Sequence, residues 1–233
     1  GIINTVKTEN KQGATAQYYA LTQPSFAVRF KDFISTKKIS FPSNESEFLE
    51  PFIEDGELHA IIIVGSPDPH GPEKARSRDG YYGMDLALFL GTFLNYASGL
   101  KVRLDTEVRE DDLNNNLIIL GGPIVNAITS RINDKMPIKF TDKAIVSTIS
   151  HKEYFADETG IIVKMNNPFD KTKKILVVAG KRYAGTRACI IAFLKHFKEI
   201  KAGNKFNNSI MSKVFEGVDL DSDGVVDDVE EKE

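Results

Sequence analysis

The most specific arrangement of chemically active residues is the acidic segment 219–230. Aspartates stand at positions 219, 221, 223 and 227, and Gly224 stands where a sharp turn would fall. This spacing matches the EF-hand loop, in which about six to eight oxygen atoms hold a Ca²⁺ ion. The predicted ligands, in loop order, are Asp219, Asp221, Asp223, the carbonyl of Val225, Asp227 and Glu230. Helices are not evident on either side of the loop, so a solvated acidic run is the alternative interpretation.

A second set of residues surrounds three glycine corners, each of which follows one of the most apolar runs of the chain. In an open parallel sheet, such corners gather at the carboxyl edge, where backbone amides and helix N-termini favour an anion. We therefore predict a crevice for a small molecule bearing phosphate or carboxylate. Its predicted contacts are Gly65, Ser66, Asp68, His70, Arg76, Arg78, Gly121, Gly122, Asn126, Lys181, Arg182, Thr186 and Arg187. The alternative is that short turns need glycine whatever they bind, since no corner matches a Rossmann fingerprint or a P-loop.

Catalysis at this crevice is a further hypothesis. Asp68 and His70 lie two residues apart with Asp79 nearby, which would suit general acid-base work or a metal. A complete constellation such as a serine elbow or a His-x-x-x-His pair is missing from the sequence. We assign no catalytic residue and keep a small-molecule enzyme as an alternative.

The elements that would position these residues alternate between buried strands and amphipathic helices. This pattern predicts an α/β fold, a three-layer αβα sandwich with a mostly parallel sheet. The predicted divisions are a hairpin at 1–22, a connecting helix and linker at 23–57, the αβα domain at 58–216 and the acidic tail at 217–233. The connecting helix begins at Pro24 and carries Phe26, Phe30 and Phe33, which could form a dimer seam or ordinary core.

Composition limits the class of protein. The 233 residues are 41% hydrophobic and 27% charged, with a formal net charge of −3, as in an ordinary globular protein. The charge argues against broad nonspecific binding to nucleic acid. The apolar runs fall far short of the roughly 20 residues that cross a membrane. The single cysteine, Cys189, lies in an apolar run and excludes an intrachain disulfide.

Two stretches resemble known families. Residues 13–22 (GATAQYYALT) resemble the second wing strand of archaeal winged-helix (ArsR-like helix-turn-helix) transcription regulators, although the recognition helix is absent. The chain from about residue 60 to 230 is similar to the outer domain of archaeal S-layer proteins. That resemblance rests on residues 117–126 (LIILGGPIVN), on 175–180 (ILVVAG) with 185–188 (GTRA), and on 217–224 (GVDLDSDG).

The two resemblances imply different functions. The first implies a cytoplasmic regulator, preceded by a wing remnant, whose S-layer-like half senses an anionic effector, forms a homodimer and positions DNA-binding heads encoded upstream. The second implies an S-layer-related structural protein of the cell surface. The sequence lacks a secretory signal at Gly1–Thr5 and a long threonine-rich extent, which favours the regulator over the envelope protein.

Overall fold

The computed structural model describes residues 3–11, 14–21, 46–96 and 98–233, which fall into two compact units, 1–44 and 45–233. In the first unit, strands β1 (Ile3–Lys11) and β2 (Ala14–Leu21) form an antiparallel hairpin. The predicted helix after Pro24, with its phenylalanine stripe, lies outside the described residues.

The second unit is built on one large sheet flanked by smaller elements. Its first elements are α1 (Ser46–Leu49), β3 (Ile53–Glu54), β4 (Glu57–Leu58), β5 (Ala60–Val64), α2 (Asp79–Gly91), β6 (Val102–Leu104), β7 (Asn116–Leu120) and α3 (Ala127–Ile132). The chain continues with β8 (Ile138–Phe140), β9 (Ile145–Ser147), β10 (Glu153–Tyr154), β11 (Thr159–Asn166), β12 (Lys174–Gly180), α4 (Tyr183–Lys195), α5 (Phe197–Lys201), β13 (Ser212–Val218) and β14 (Asp228–Glu231).

The large sheet has seven strands in the order β14-β13-β11-β12-β7-β5-β6 and is mixed. Strands β6, β5, β7 and β12 pair in parallel. Strands β11, β13 and β14 extend the sheet with antiparallel pairings. Alternate residues of the central strands point to opposite faces, so each face carries its own apolar core.

The two cores differ in what covers them. On one face, Ile118 and Leu176 pack with the helical residues Leu86, Leu90 and Phe193. On the other face, the neighbouring strand residues pack against α3 and a three-stranded antiparallel sheet of order β10-β9-β8. The acidic tail is part of this unit, since β13 and β14 are the outer strands of the large sheet.

The prediction of a mostly parallel, three-layer αβα sandwich is therefore wrong. Only half of the large sheet pairs in parallel, and a small sheet replaces most of the second helical layer. The physical reason is that burial on both faces gives the same apolar run in parallel and antiparallel strands: β11 is buried in this way and is antiparallel to both of its neighbours.

Candidate functional site

The three glycine corners do meet at the carboxyl edge of the parallel strands. A Cβ atom at Gly65 would lie 2.1 Å from the Val125 carbonyl oxygen, and one at Gly122 would lie 2.6 Å from the Gly180 carbonyl oxygen. Real Cβ contacts are not this close, so the corners need glycine to approach each other. This packing requirement accounts for the glycines without a ligand, and binding at the crevice stays a prediction.

Asp79, the first residue of α2, occupies the centre of this edge. The residue is 2% exposed, and its Oδ2 accepts a 3.3 Å hydrogen bond from the Ser77 hydroxyl. A Cβ atom at Gly121 would lie 2.8 Å from the same oxygen. The Asp79 Oδ1 atom has no hydrogen-bond partner among the described residues. Burial raises the pKa of Asp79 above its ordinary value, and hydrogen bonds from Thr186 and Ser77 offset only part of that rise.

Polar side chains tie the corners together. Asn126 caps α3: its Oδ1 accepts hydrogen bonds from the amides of Ile128 and Thr129, and its Nδ2 donates to the Leu120 carbonyl. The Thr186 hydroxyl accepts a 2.9 Å hydrogen bond from the Gly180 amide. Two residues predicted as ligand contacts, Asn126 and Thr186, are therefore fully buried and already hydrogen-bonded within the protein.

His70 is engaged on both ring nitrogens. Its Nδ1 donates to the Asp68 carbonyl at 2.8 Å, and its Nε2 lies 2.9 Å from Asp105 Oδ2, close enough for an ion pair but not aligned as a hydrogen bond. The hydrogen bond to the Asp68 carbonyl raises the pKa of His70; burial opposes this effect, and Asp105 adds to the rise. The ring therefore fastens its loop to the sheet, and in this arrangement neither nitrogen is free to take a proton from a hydroxyl group.

Asp105, which the sequence reasoning missed, organises the same corner. It is buried at the end of β6, where its two carboxylate oxygens accept hydrogen bonds from the Ser66 and Ala127 amides, each at 2.8 Å. The signal was its position directly after a strand at the carboxyl edge of the sheet.

Three of the predicted cations have partners within the protein. Lys181 pairs with Asp157 at 2.8 Å, and Arg182 lies 3.9 Å from the same carboxylate. Arg187 donates from Nε to the Val226 carbonyl at 2.8 Å. The guanidinium of Arg78 lies over the Tyr183 ring, and Arg76 is exposed.

The acidic loop joins β13 to β14 and gathers part of the predicted ligand set. Carboxylate oxygens of Asp219, Asp221 and Asp227 lie within 4.8 Å of one another. Asp219 accepts hydrogen bonds from the amides of residues 222, 223 and 224, and these bonds, with that of Gly224 foremost, hold its pKa below the ordinary value. Gly224 has φ +87°, a conformation that favours glycine.

The other predicted ligands are placed differently. Asp223 Oδ1 accepts a hydrogen bond from the Val225 amide at 2.8 Å. Glu230 lies on β14 and pairs with Lys232 at 2.9 Å, outside the cluster of three carboxylates. The loop thus resembles an EF-hand at its start and ends in a strand instead of a helix.

Contacts from α4 and its C-cap fix the far side of the loop. Lys195 donates to the Asp227 carbonyl at 2.6 Å, and His196 Nε2 lies 2.8 Å from Asp228 Oδ1. Together with the bond from Arg187 to Val226, these contacts hold the backbone near Asp227 against the folded domain.

A buried carboxylate at Glu233, also missed from the sequence, links three parts of the unit. Glu233 is 0% exposed, and its side chain accepts hydrogen bonds from the hydroxyls of Ser147, Ser150 and Tyr154 and from Asn204 Nδ2. Burial alone would raise the pKa of Glu233, but these four donors together lower it. Only the tertiary structure brings the four donors together, so the sequence offered no signal for them.

Comparison with known proteins places part of the chain in context. Residues 97–197, 101 of the 233, match the model of the S-layer like family, outer domain. An uncharacterized protein of Methanocaldococcus jannaschii is 33% identical over 88 residues, which is 38% of this chain and 18% of that relative. The matched segment thus spans less than a fifth of the relative's length. Among the described residues, no helix is long and apolar enough to span a membrane. The segment from the loop after α2 to the first residue of α5 is therefore similar to the outer domain of S-layer proteins.

Proposed function

We propose that this chain is a structural component of an S-layer-related cell envelope protein. The observation that carries the proposal is the match of residues 97–197 to the S-layer outer-domain family. The matched segment includes β6, β7, β11 and β12 of the large sheet together with α4, so it covers much of the core that forms the second unit.

The chemistry of the described residues supports a structural role over an enzymatic one. At the carboxyl edge, the side chains of Asp105, Asn126 and Thr186 form hydrogen bonds with backbone groups of the protein. His70 is held between Asp68 and Asp105. Groups committed in this way stabilise loops, whereas a catalytic group must reach a substrate atom.

The transcription-regulator hypothesis has no support from either match. One match is to an S-layer domain and the other is to an uncharacterized protein. The envelope alternative is therefore the favoured one, and the protein belongs at the cell surface under this proposal.

Fractionation of cells that produce the protein tests the proposal. We expect the chain in the envelope fraction, and we expect protease added to intact cells to degrade it while a cytosolic marker stays intact. A chain that stays with the cytosolic marker and resists external protease would contradict the proposal.

We also propose that the acidic loop binds Ca²⁺. The specific support is the cluster of Asp219, Asp221 and Asp227, which come from the two ends of a loop whose backbone amides already fix Asp219. These carboxylates, with the carbonyl of Val225, would supply oxygen ligands of the kind that Ca²⁺ prefers. Glu230 would need to leave Lys232 to join them.

Thermal unfolding with and without Ca²⁺ tests this second proposal. At about ten times the dissociation constant, Ca²⁺ binding should raise the melting temperature by roughly 3 to 6 °C. Asp219→Asn should remove the increase, whereas Asp142→Asn, at an exposed position in the turn between β8 and β9, should keep it. An unchanged melting temperature and no heat of binding at millimolar Ca²⁺ would exclude the site.

A further inference from the structure

Six large hydrophobic side chains are exposed on and next to α2 and β6. We call this surface the α2–β6 face; it consists of Tyr81, Met84, Leu88, Tyr96, Leu100 and Val102. Leu88 and Leu100 are aliphatic residues that would ordinarily be buried, and yet they are 73% and 89% exposed. Hydrophobic residues scattered singly on a surface are normal, but several side by side mark an interaction site.

Spacing or a shared groove connects five of the six members of the α2–β6 face, and Tyr96 lies in the loop between α2 and β6. Tyr81, Met84 and Leu88 follow a spacing of three and four residues, which places them on one side of α2. Met84 and Val102 line the same apolar groove, so the helix and the edge strand contribute to one continuous surface. Leu100 lies two residues before Val102.

The groove itself is a shallow apolar depression of about 200 Å³ between α2 and the sheet. Gly80 and Gly83 of α2 leave space at its margin, and Ile62, Leu86 and Leu120 contribute to its lining. A cavity of this size and composition would accept one aliphatic side chain, since polar groups contribute little to its wall.

Part of the outer edge of β6 already has partners within the chain. The Val102 carbonyl accepts a 3.0 Å hydrogen bond from Arg103 Nη1, and the Leu104 amide donates to Glu107 Oε2 at 3.2 Å. These contacts engage two of the outward backbone groups, which makes the edge less suited to adding another strand. A partner would therefore dock through side chains on the α2–β6 face.

We infer that the occupant of this face is a second copy of the same chain, related by a two-fold axis. The face carries both a projecting side chain, Leu100, and an apolar groove beside it, and an isologous contact needs both features on one surface. The exposed area of the six side chains is on the order of 700 Å², close to the roughly 800 Å² per partner of a standard interface. In such a dimer, the Leu100 side chain of each copy would be covered by the groove of the other copy.

Sedimentation equilibrium of the full chain, combined with light scattering, tests the inference. We expect a concentration-dependent dimer for the wild type. Leu88→Glu and Leu100→Glu should each weaken the dimer by about 30-fold or more, because a charge would enter an apolar interface. Both side chains are exposed in the single chain, so the two variants should keep the wild-type melting temperature measured under conditions where all are monomeric.

Ile124→Glu is the matched control, since Ile124 is 53% exposed outside the α2–β6 face. This variant should dimerise as the wild type does. A wild-type chain that stays monomeric up to about 200 µM would overturn the inference and indicate a different occupant, such as another protein. A dimer that all three variants form equally well would also overturn it. The inference goes beyond the envelope proposal and stands on this surface alone, so its failure would leave the fractionation result unaffected.

Discussion

Replacing Glu233 with glutamine should destabilise the second unit strongly. The carboxylate is fully buried and receives four hydrogen bonds from Ser147, Ser150, Tyr154 and Asn204. Glutamine has nearly the same shape, so the substitution removes the charge and replaces one acceptor oxygen with a donor NH₂ group. The two hydroxyls that face Oε2, those of Ser150 and Tyr154, would have to turn and accept from the new NH₂ group if it took that place.

The size of the effect follows from these four bonds. Hydrogen bonds to a charged group contribute about 1.5–3 kcal/mol each, and neutral ones contribute about 0.5–1.5 kcal/mol. Changing these four bonds from charged to neutral ones should lower the free energy of unfolding by about 3 kcal/mol, after allowance for local rearrangement. For a domain of this size, that loss corresponds to a decrease in melting temperature of roughly 6 to 12 °C.

The effect should depend on pH with a defined sign. The pKa of Glu233 is lower in the folded chain than its ordinary value of 4.5. Its stabilising contribution is therefore complete above about pH 4.5 and is lost as the pH falls through the folded-state pKa. The difference in stability between wild type and Glu233→Gln should be largest near pH 7 and should shrink in acid.

Urea unfolding followed by circular dichroism at pH 7 and at pH 3.5 measures this difference. Glu153→Gln is the control, because Glu153 is an exposed carboxylate on the same small sheet that Glu233 contacts. The reasoning is refuted if Glu233→Gln loses less than about 1 kcal/mol at pH 7. It is also refuted if the loss stays the same at pH 3.5.

Three further predictions concern the carboxyl edge of the sheet. His70→Gln should lower the melting temperature at pH 6 more than at pH 9. The pKa of His70 is raised in the folded chain, so its contribution to stability is complete below the ordinary value of 6.5 and is lost as the pH rises through the folded-state pKa. An equal effect at both pH values would contradict the ion pair with Asp105. Asp79→Asn should raise the melting temperature at pH 8 but not at pH 3.5. The pKa of Asp79 is raised in the folded chain, so the ionised side chain destabilises the fold, and a lower melting temperature of the variant at pH 8 would contradict this reasoning. Gly185→Ala should lower the melting temperature by several degrees, because a Cβ atom at Gly185 would lie 2.1 Å from the Thr159 carbonyl oxygen. The control Gly91→Ala, at an exposed position with open space around its Cβ, should change it less, and an equal decrease in both variants would contradict this reasoning.

The central strands were the most predictable part of the fold. The runs at Ala60–Val64, Asn116–Leu120 and Lys174–Gly180 are β-branched and apolar, and the structure places all three as neighbours in the large sheet. Strand direction was not predictable, because an apolar run buried on both faces looks the same in parallel and antiparallel sheets. The small sheet on the second face was missed for a different reason, because its strands have only two or three residues each and leave a weak pattern.

The candidate sites show the same limit. Local spacing predicted the acidic loop, and three of its carboxylates do lie together. Spacing did not reveal that Glu230 pairs with Lys232, or that Lys181 and Arg187 turn to partners outside the crevice. The side-chain network around Glu233 depends on residues up to 86 positions apart, which a one-dimensional pattern does not bring together.

Labelling of intact cells with a membrane-impermeant amine reagent tests the proposed envelope role most directly. Lysine side chains such as Lys171 and Lys198 are available for the reaction, and mass spectrometry can locate the label on individual peptides. The proposed role predicts that peptides of this chain are labelled in intact cells while cytosolic proteins are not. Labelling of this chain only after the cells are broken would contradict the account.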